Sequence, residues 1–566
     1  MPTIPAEFQS IGPAPIDTRA DAQMVAMRDG VRLATDVYLP QPEGVKCAAI
    51  LIRLPYDKSS RYTFMPEIAR YLNANGFAAV IQDVRGKFRS EGAAEPFVNE
   101  AADGFDTLEW LVVQSWSNGI VGMSGDSYYG FTQWAAASTG HRALRAIVPR
   151  VTGSHFMLGL EPARVPRIPF LEWILHTFSA RDSFEEGVLS ERPLGAMAAL
   201  PDALDISGRR LSELVADAGS GRLAATVFGG RPPAARLEIP ALHTGGWFDN
   251  LQRWQLDDWE VASTTSPAAA HQYLRMTPTD HEDFTLVEDG GPARNHEVDD
   301  DALRKEYLPR LLDEPISFFR HYLGGGEGRW RSPRVRYRVA YAGWEVADRW
   351  PLDTVRPLTL IAGDTRAALD TIDGGELIAA EDGPAADGRA GTVEWTHDPS
   401  DPVPYLIEDE WGMTMGLPDE STLHGRPDVP TFTTAPFERP LDLLGPATAD
   451  LTVDADGDST HVIVRLLDVD PGGDARYVLE GSDVVDCSAG PASVRIRMAD
   501  TAYRVRPGHR LRVAISTSLF PLYMVHPGTE ESPLTAVEHR SRTQRLRVGG
   551  DAGIAITLSV RTLSNP

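Results

Sequence analysis

Short apolar runs alternate with stretches of helical spacing from about residue 48 to residue 148, and this alternation restricts the fold more than any other feature of the sequence. Residues 48–53 (AAILIR) and 78–82 (AAVIQ) are nearly continuous apolar runs of strand length. Between them, Pro66 to Asn75 has helical spacing, and the following Gly76 is a typical helix end. Strands of this kind that alternate with helices are typical of a mostly parallel sheet with helices on both faces. The sequence therefore predicts an α/β domain.

The alternation continues along the chain with one interruption. It predicts further helices at Asp103–Val113, Tyr128–Ser138 and Leu303–Tyr322, and further strands at Ile120–Met123, Leu144–Val148, Pro240–Gly245 and Tyr273–Met276. From about residue 151 to residue 235 it gives way to helical pieces broken by Pro and Gly. We therefore expect a discontinuous sheet domain over residues 1–150 and 236–350, interrupted by an inserted helical cap over residues 151–235.

Beyond about residue 350 the pattern is almost purely that of β-structure. Apolar and polar residues alternate over residues 493–498, and strand-length apolar runs occur at 461–467 and 554–558. Gly, Pro and Asp clusters separate these runs, as in an antiparallel sandwich. Residues 351–566 are therefore predicted to form an all-β domain, and the segment 363–401, rich in Asp, Gly and Ala, is predicted to be its most loop-heavy part.

Composition excludes several kinds of function. A chain of 566 residues is too long for one hydrophobic core, so two or three domains are expected. The net charge of -26 repels nucleic acid and anionic lipid, and no apolar run reaches the roughly 18 residues that a membrane span needs. The two cysteines, Cys47 and Cys487, lack metal-ligand spacing, so neither a zinc site nor a disulfide framework is predicted. The first residues do not have the pattern of a secretory signal, which predicts a cytoplasmic protein, and a homodimer stays open.

The sharpest local motif is the run from Gly125 to Gly130 (GDSYYG), which directly follows the strand predicted at Ile120–Met123 and precedes a predicted helix. On a sharp strand-to-helix turn, a serine projects its hydroxyl from the end of the sheet, and the next amide faces a developing oxyanion. Ser127 is therefore a candidate nucleophile. The second glycine stands three residues after the serine instead of the usual two, which departs from the simple pattern. The alternative is that Ser127 only caps the following helix.

A serine hydroxyl needs a base to remove its proton, and the base needs a group that fixes its tautomer. In hydrolases with this kind of turn, an acid and then a histidine follow the serine in chain order, on loops after later strands. Asp249 follows the strand predicted at Pro240–Gly245, and His281 follows the strand predicted at Tyr273–Met276. We therefore predict that His281 is the base and that Asp249 orients it.

Other residues compete for these two roles. Asp280, directly before the predicted base, is the rival acid, but neighbouring side chains on an extended loop usually point apart. Asp249 could also be an ordinary helix-cap or turn carboxylate. His243 lies within a predicted strand, where a core position is the better interpretation, and His155 and His176 fall in the predicted cap.

These motifs resemble a known family, the cocaine esterase-like and X-prolyl dipeptidyl aminopeptidase-like acylases, which include α-amino acid ester hydrolases and glutaryl cephalosporin acylases. Besides the serine motif and residues 247–249 (WFD), the resemblance rests on residues 27–38 (MRDGVRLATDVY), 55–58 (PYDK), 82–86 (QDVRG), 502–511 (AYRVRPGHRL) and 518–521 (SLFP). It covers nearly the whole chain, and it includes the glycine three residues after the serine. The resemblance implies an α/β-hydrolase domain with an inserted helical cap, and a C-terminal all-β jelly-roll domain that helps to wall the active site.

The resemblance also implies roles for individual residues. The Tyr56 hydroxyl is expected to contribute to an oxyanion hole, beside the backbone amide of Tyr128. Asp83 and Arg85 are expected to support the site structurally, through a buried ion pair or backbone hydrogen bonds. Three aromatic residues are further candidates for the substrate pocket, namely Phe170, Trp173 and Phe248.

Two departures from the family pattern bear on the substrate. The loop before His281 normally reads Gly-Pro-Trp, whereas residues 276–280 here read MTPTD. Relatives that prefer α-amino acyl groups carry acidic residues just after the orienting acid, whereas Asn250, Leu251 and Gln252 occupy these positions here. A cationic α-amino substrate would lack its charge partner, so an uncharged acyl group is favoured.

Three hypotheses about function follow. The first is hydrolysis of an ester or amide of a small acyl compound through a covalent acyl-enzyme, which needs no metal or organic cofactor. The second is acyl transfer or lactone formation in a biosynthetic pathway, with an alcohol or amine in place of water on the same intermediate. The third is a non-catalytic binding protein on this scaffold, which the presence of Ser127, Asp249 and His281 disfavours.

Overall fold

The computed structural model describes residues 14–41, 44–60, 63–155, 165–178, 205–206, 209–210, 213–214, 217, 220–281, 302–326, 328–363, 365, 367–381, 391–406, 417–534, 536–548 and 553–562. Most of these residues belong to two regions, each built around a large β-sheet. Helices cover the sheet of the first region, whereas the second region is almost entirely β-structure.

The first sheet has ten strands among the described residues. In chain order they are β1 (Asp21–Ala26), β2 (Arg32–Tyr38), β3 (Cys47–Leu54), β4 (Ala78–Asp83), β5 (Ser117–Asp126), β6 (Leu144–Arg150), β9 (Ala241–Gly246), β10 (Gln272–Thr277), β11 (Val335–Arg338) and β12 (Trp344–Ala347), while β7 (Asp205–Ile206) and β8 (Arg209–Arg210) form a separate hairpin. Across the sheet the order is β1-β2-β4-β3-β5-β6-β9-β10-β11-β12. Neighbouring strands from β4 to β11 run parallel, so the predicted parallel sheet is confirmed.

Helices pack on both faces of this sheet. They are α1 (Met65–Ala74), α2 (Glu100–Val112), α3 (Ser127–Ser138), α4 (Ile168–Phe178), α5 (Arg222–Phe228), α6 (Gln252–Thr265) and α7 (Leu308–Leu323). Apolar residues of α1 and α7 share one buried cluster with the sheet, and those of α2 and α3 share another. The helices and strands predicted between residues 48 and 150 are therefore confirmed, with bounds that shift by a few residues.

Four strands at the two ends of the sheet, β1, β2, β11 and β12, were not predicted. In β1 only Val25 is buried, and in β12 the side chains of Trp344 and Val346 are exposed. β1 and β12 pair antiparallel with β2 and β11 at the two ends of the sheet. Strands of this kind do not carry the continuous apolar run that identifies a central parallel strand.

The predicted cap is described only in part, because residues 156–164 and 179–204 of it lie outside the described residues. Within the remainder, the apolar stretch from Ile168 onwards forms α4, which contributes Leu171, Trp173 and Leu175 to the same buried cluster as α3. The first region therefore has helical structure between β6 and β9. The boundaries of a cap at residues 151 and 235 stay a prediction.

The second region is all-β, as predicted. Its strands are β13 (Arg356–Ala362), β14 (Gly375–Ala379), β15 (Gly391–His397), β16 (Thr431–Thr433), β17 (Leu441–Ala455), β18 (Ser459–Val469), β19 (Ala475–Asp486), β20 (Ala492–Val505), β21 (Arg510–Ser516), β22 (Arg542–Val548) and β23 (Ala555–Thr562). Nearly all neighbouring strands are antiparallel, and β23 lies between β17 and β13. The prediction of a loop-heavy segment at 363–401 was wrong in part, because β14 and β15 lie within it. In β15 the buried residues Val393 and Trp395 alternate with exposed ones, a pattern too short to stand out beside the Gly-rich residues around it.

The two regions share one hydrophobic core. Trp247, Trp259 and Trp350 of the first region lie in the same buried cluster as Tyr503 of the second. Two polar contacts cross the junction, since the indole of Trp350 donates to Asp500 at 2.9 Å and the Gln252 amide donates to the Asp500 carbonyl. Among the described residues, no helix is long and apolar enough to cross a membrane.

Three buried histidines, His397, His461 and His526, lie together in the all-β region. The rings of His461 and His526 are 5.0 Å apart, and the Nδ1 atom of His526 accepts a hydrogen bond from the Gly528 amide at 3.0 Å. A second proton on His526 would break that bond. Burial, together with the neighbouring His397 and Arg542, lowers the pKa of His526 to about 4, and burial also lowers the pKa values of His397 and His461.

We expect these histidines to make the fold sensitive to acid. An unfolded imidazole takes up a proton below about pH 6.5, whereas folded His526 does so only near pH 4, so the unfolded state binds more protons in between. The free energy of unfolding should therefore fall as the pH is lowered from 6.5 to 4, by about 3 kcal/mol from His526 alone. Urea unfolding across this range should show a shallower pH dependence for His526→Gln, and an unchanged one for the exposed control His539→Gln. Equal slopes for the wild type and His526→Gln would contradict this assignment.

Candidate active site

The turn between β5 and α3 holds Ser127 in a conformation that few side chains adopt. Its φ angle is 52°, and such a left-handed conformation is costly for a residue other than glycine. Gly125, at φ 148°, precedes it, and a Cβ atom there would lie 2.2 Å from the ring of Tyr129. Gly130 packs against Thr152, where a Cβ atom would lie 2.5 Å from the Thr152 methyl group. The unusual glycine spacing therefore has a steric cause, since each glycine allows a close approach to the turn.

Ser127, His281 and Asp249 form a continuous hydrogen-bonded series. The Nε2 atom of His281 lies 3.0 Å from the Ser127 Oγ atom, and its Nδ1 atom lies 2.8 Å from an Asp249 oxygen. An ionised carboxylate can only accept, so Nδ1 carries the proton and Nε2 is free to accept from the serine hydroxyl. The residues come from the carboxyl ends of β5, β9 and β10, where sites in open parallel sheets gather.

Asp249 is held in place by its own loop. The oxygen that faces His281 also accepts from the Leu251 amide at 3.0 Å, and the side chain of Asp249 is fully buried. The rival acid, Asp280, is also completely buried. The hydrogen bond from His281 Nδ1 is nevertheless made to Asp249.

The other candidate histidines have structural partners. His243 is buried and lies 3.0 Å from the Gln272 side chain, and burial lowers its pKa. His155 pairs with the Ser154 hydroxyl. Burial lowers the pKa of His176 to about 4, so it is neutral near pH 7. None of these contacts involves Ser127.

The Tyr56 hydroxyl lies beside the nucleophile. It hydrogen-bonds with Ser127, and it accepts a hydrogen bond of 2.9 Å from the indole nitrogen of Trp173. Burial raises the pKa of Tyr56, which keeps its proton in place at neutral pH. The side chain of Tyr128 has a different role, since its hydroxyl accepts from the Phe97 amide and donates to Glu100. The backbone amide of Tyr128, directly after Ser127, is the second candidate donor to an oxyanion.

A buried ion pair fixes the loop that carries Tyr56. The ammonium group of Lys58 lies 3.1 Å from Asp83 and 3.5 Å from Asp36, and all three side chains are buried. Burial raises the pKa of Asp83 to about 6, and the hydrogen bonds from Lys58 oppose this effect. Arg85 pairs separately with Asp103 at 2.6 Å. Asp83 and Arg85 thus each form an ion pair, in line with the supporting role that the sequence predicted for them.

A second ion pair adjoins the serine turn. The Arg150 side chain at the end of β6 donates to Asp126 at 2.8 Å, and Asp126 directly precedes Ser127. The Thr152 hydroxyl donates to the Ser127 carbonyl at 2.7 Å. These contacts tie the turn to the end of β6 and to the segment that follows it, and we infer that they help to hold the strained serine.

A cavity of about 90 Å³ adjoins Asp249 at the junction of the two regions. Its lining includes Asn250 and Trp254 from the first region and Tyr477 and Glu480 from the second. Glu480 is buried and forms ion pairs with two arginines, Arg167 at 3.0 Å and Arg465 at 3.5 Å. The carboxylate of Glu480 is therefore already paired with arginine side chains.

The three predicted pocket residues occupy different places. Trp173 is buried against Tyr56 and Tyr128, and Phe170 is half-buried with its ring 5.6 Å from that of Trp173. Phe248 is buried in the shared core, with its ring 6.3 Å from that of Tyr477. Their role in substrate binding stays a prediction. Among the described residues, no group of three or more His, Cys, Asp and Glu side chains is arranged to hold a metal ion.

Two family models match consecutive parts of the chain. Residues 29–283 match the X-Pro dipeptidyl-peptidase (S15 family), and residues 328–551 match the X-Pro dipeptidyl-peptidase C-terminal non-catalytic domain. The cocaine esterase of Rhodococcus sp. (strain MB1 Bresler) is 29% identical over 552 residues, which cover 88% of this chain and 91% of the esterase. The chain belongs to the family of cocaine esterase-like and X-Pro dipeptidyl-peptidase-like serine hydrolases. As a serine hydrolase of the family, it acts on ester or amide bonds.

Solved structures share the fold of this serine hydrolase over almost its whole length. An α-amino acid ester hydrolase superposes with a TM-score of 0.76 at 25% identity, covering 99% of this chain and 98% of the other. An aminopeptidase from the marine sediment archaeon Thaumarchaeota archaeon superposes with a TM-score of 0.74 at 22% identity, with the same coverage. The sheet with its serine turn and the C-terminal all-β region therefore form one shared architecture.

Several contacts around the serine of this hydrolase were not predicted. The ion pair between Asp126 and Arg150 joins two strand ends, and the bond from Trp173 to Tyr56 joins residues 117 positions apart. Neither pair belongs to a local motif. Asp126 was visible beside the serine, but nothing in the sequence indicated which cation would pair with it.

Proposed function

We propose that the chain hydrolyses an ester or amide of a small, uncharged acyl group through a covalent acyl-enzyme. The observation that carries this proposal is the series Ser127–His281–Asp249, with bonds of 3.0 and 2.8 Å and a proton direction fixed by the carboxylate. Ser127 is the nucleophile, His281 the general base and acid, and Asp249 the group that orients the imidazole and stabilises its charged form.

The reaction follows from the direction of these hydrogen bonds. The Ser127 oxygen attacks the substrate carbonyl while His281 Nε2 takes up the hydroxyl proton. The carbonyl oxygen becomes negative, and the Tyr56 hydroxyl and the Tyr128 amide donate to it. His281 then returns the proton to the leaving alcohol or amine. Water repeats these steps on the acyl-enzyme and releases the acid.

The residues after Asp249 support an uncharged acyl group. Leu251 is buried, and the amide of Gln252 is committed to the Asp500 carbonyl. Glu480, which lines the adjoining cavity together with Asp249, is paired with Arg167 and Arg465. An ammonium group placed here would lose its hydration without gaining an unpaired carboxylate, which is costly. The named relatives include both an esterase and an aminopeptidase, so the substrates to be tested include both alcohol and amine leaving groups.

We further propose that the helical segment between β6 and β9 forms a cap over the serine and that the C-terminal region is a jelly roll that walls the site. The contact between Trp173 of α4 and Tyr56 supports the first part. The second part is supported by Tyr477 and Glu480, which line the cavity beside Asp249.

A substrate panel with mass spectrometry tests the proposal. p-Nitrophenyl esters of increasing acyl length and matched aminoacyl anilides are compared for turnover, and a fluorophosphonate probe is used with intact mass to detect one adduct, mapped to Ser127. Product analysis with a competing alcohol shows whether water or the alcohol accepts the acyl group. An adduct at another residue, or a marked preference for cationic α-amino esters, would overturn the assignment.

Tyr56→Phe is expected to lower turnover selectively. The change keeps the ring and removes one donor to the oxyanion, which costs about 10²–10³ in kcat with little change in KM. It also leaves the Trp173 indole without its acceptor, so a loss of about 1–2 kcal/mol in stability is expected. Steady-state kinetics and thermal melts check both effects.

A remote tyrosine provides the control for this prediction. The buried Tyr273 hydroxyl bonds with Tyr322 at 3.0 Å, so Tyr273→Phe also removes a buried hydroxyl contact. It should lower stability to a similar extent and leave kcat unchanged. If Tyr56→Phe behaves like Tyr273→Phe, other donors form the oxyanion hole.

A further inference from the structure

The contact between Trp173 and Tyr56 has a defined polarity. The indole nitrogen lies 2.9 Å from the Tyr56 oxygen, and both side chains are about 95% or more buried. An indole N–H can only donate, so the tyrosine oxygen is the acceptor in this bond. The single proton of the Tyr56 hydroxyl is therefore directed away from Trp173. Ser127 is also a hydrogen-bond partner of this hydroxyl.

The other hydrogen bonds of the site also have defined directions. Asp249 can only accept, so His281 donates through Nδ1 and accepts through Nε2, and the Ser127 hydroxyl donates to His281. The Ser127 oxygen is then left to accept from Tyr56. An obligate donor, Trp173, and an obligate acceptor, Asp249, thus stand at the two ends of one series, and every hydroxyl between them has a single orientation.

We propose that Trp173 is a positioning residue that aims the Tyr56 hydroxyl proton at the nucleophile and, in the transition state, at the oxyanion. This inference rests on the function proposed above and adds a residue of α4 to it. Without the indole, the Tyr56 oxygen could accept from the Ser127 hydroxyl and compete with His281. With the indole, the donor to the oxyanion is oriented before the reaction begins, and such preorganised donors are the effective ones.

The surroundings of Trp173 keep its ring in place. Its ring lies 5.8 Å from that of Tyr128, 5.8 Å from that of Phe178 and 6.3 Å from that of Phe97. The buried ammonium group of Lys87 donates to the Thr177 carbonyl in the last turn of α4. The helix that carries the indole is thus held close to the loop that follows β4. The proposed role of the indole is to position Tyr56, without contact with the reacting atoms.

The test replaces the indole N–H without changing the shape of the ring. Trp173 is exchanged for 3-benzothienylalanine, in which sulfur takes the place of the N–H, and Trp173→Phe is made beside it. Because one hydrogen bond is lost, kcat on a p-nitrophenyl ester should fall about 10-fold, with KM nearly unchanged. In a Tyr56→Phe background the same exchanges should have no further effect on kcat, because the hydroxyl on which the indole acts is absent.

Two outcomes would overturn the inference. One is a benzothienylalanine enzyme with wild-type kcat, and the other is an equal fold-loss of kcat whether or not Tyr56→Phe is also present. Trp259→Phe serves as the control, since it removes a buried indole bond to the Trp350 carbonyl of 3.1 Å and should lower stability while kcat is kept.

Ser127→Ala separates the role of Trp173 from the proposed function on which it rests. Full activity of Ser127→Ala would refute the proposed function itself. An inactive Ser127→Ala beside an unaffected benzothienylalanine enzyme would refute only the role of Trp173.

Discussion

Replacing Ser127 or His281 with alanine is expected to lower kcat by on the order of 10⁵–10⁶, the largest effect of any single change in the chain. The two residues act as one unit, because the hydroxyl is a poor nucleophile unless Nε2 of His281, 3.0 Å away, takes its proton. Removal of either residue therefore abolishes the whole rate enhancement that the pair provides. The fold should be unaffected in the His281 variant, since that side chain lies at a loop after β10, and circular dichroism with steady-state kinetics checks both points.

The double variant decides whether the unit is assigned correctly. The variant that combines Ser127→Ala with His281→Ala should have about the same kcat as either single variant, because one change already abolishes the joint contribution of the two residues. A double variant that is slower by the product of the two single losses would show that the residues act independently. Ser124→Ala, three residues earlier in β5, is the matched serine control and should keep nearly full kcat.

Asp249→Asn is expected to have the second largest effect, a loss of up to roughly 10⁴ in kcat with the fold retained. An asparagine that turns its NH₂ group to His281 reverses the tautomer and places a proton on Nε2, where the serine proton must go. If its oxygen instead keeps its place against the Leu251 amide, the charge that stabilises the imidazolium is still lost. Both orientations therefore slow the reaction.

Asp280→Asn is the matched control for this prediction. Asp280 is buried and adjacent to the base, so an effect through general electrostatics would be similar for both residues. We expect a much smaller loss of kcat at Asp280, and pH–rate profiles of the two variants should differ. A loss of about 10⁴ at Asp280 with a nearly normal Asp249→Asn enzyme would move the orienting role to Asp280.

The parts of the molecule that could be predicted from sequence are those set by local pattern. The central strands were visible because a parallel strand buried on both faces is apolar at every position, as in β3 and β4. Ser127, Asp249 and His281 could be predicted because the fold places active-site residues at strand ends in a fixed chain order. In the structure, His281 lies within hydrogen-bonding distance of both Ser127 and Asp249.

The contacts that could not be predicted depend on which distant segments meet. Arg167 pairs with Glu480 across 313 positions of sequence, and an arginine before an apolar helix gives no sign of its partner. Trp173 was a predicted candidate for the substrate pocket. Its contact with Tyr56, in the loop after β3, is visible only in the folded structure, because a hydrogen bond of this kind depends on tertiary packing and not on periodicity.

The position of β23 has a consequence for how the chain tolerates shortening. This strand, residues 555–562, pairs on one side with β13 and on the other with β17, so it fills an interior place in its sheet. A premature stop codon or a proteolytic cut just before it would not trim an edge. It would leave β13 and β17 with unpaired backbone N–H and C=O groups. Such exposed strand edges can pair with other chains and cause aggregation. Affinity tags and fusion partners attached after residue 562 should therefore disturb the fold less than any truncation before residue 555. This holds although β23 lies more than 270 positions along the chain from His281 and contributes no residue to the triad.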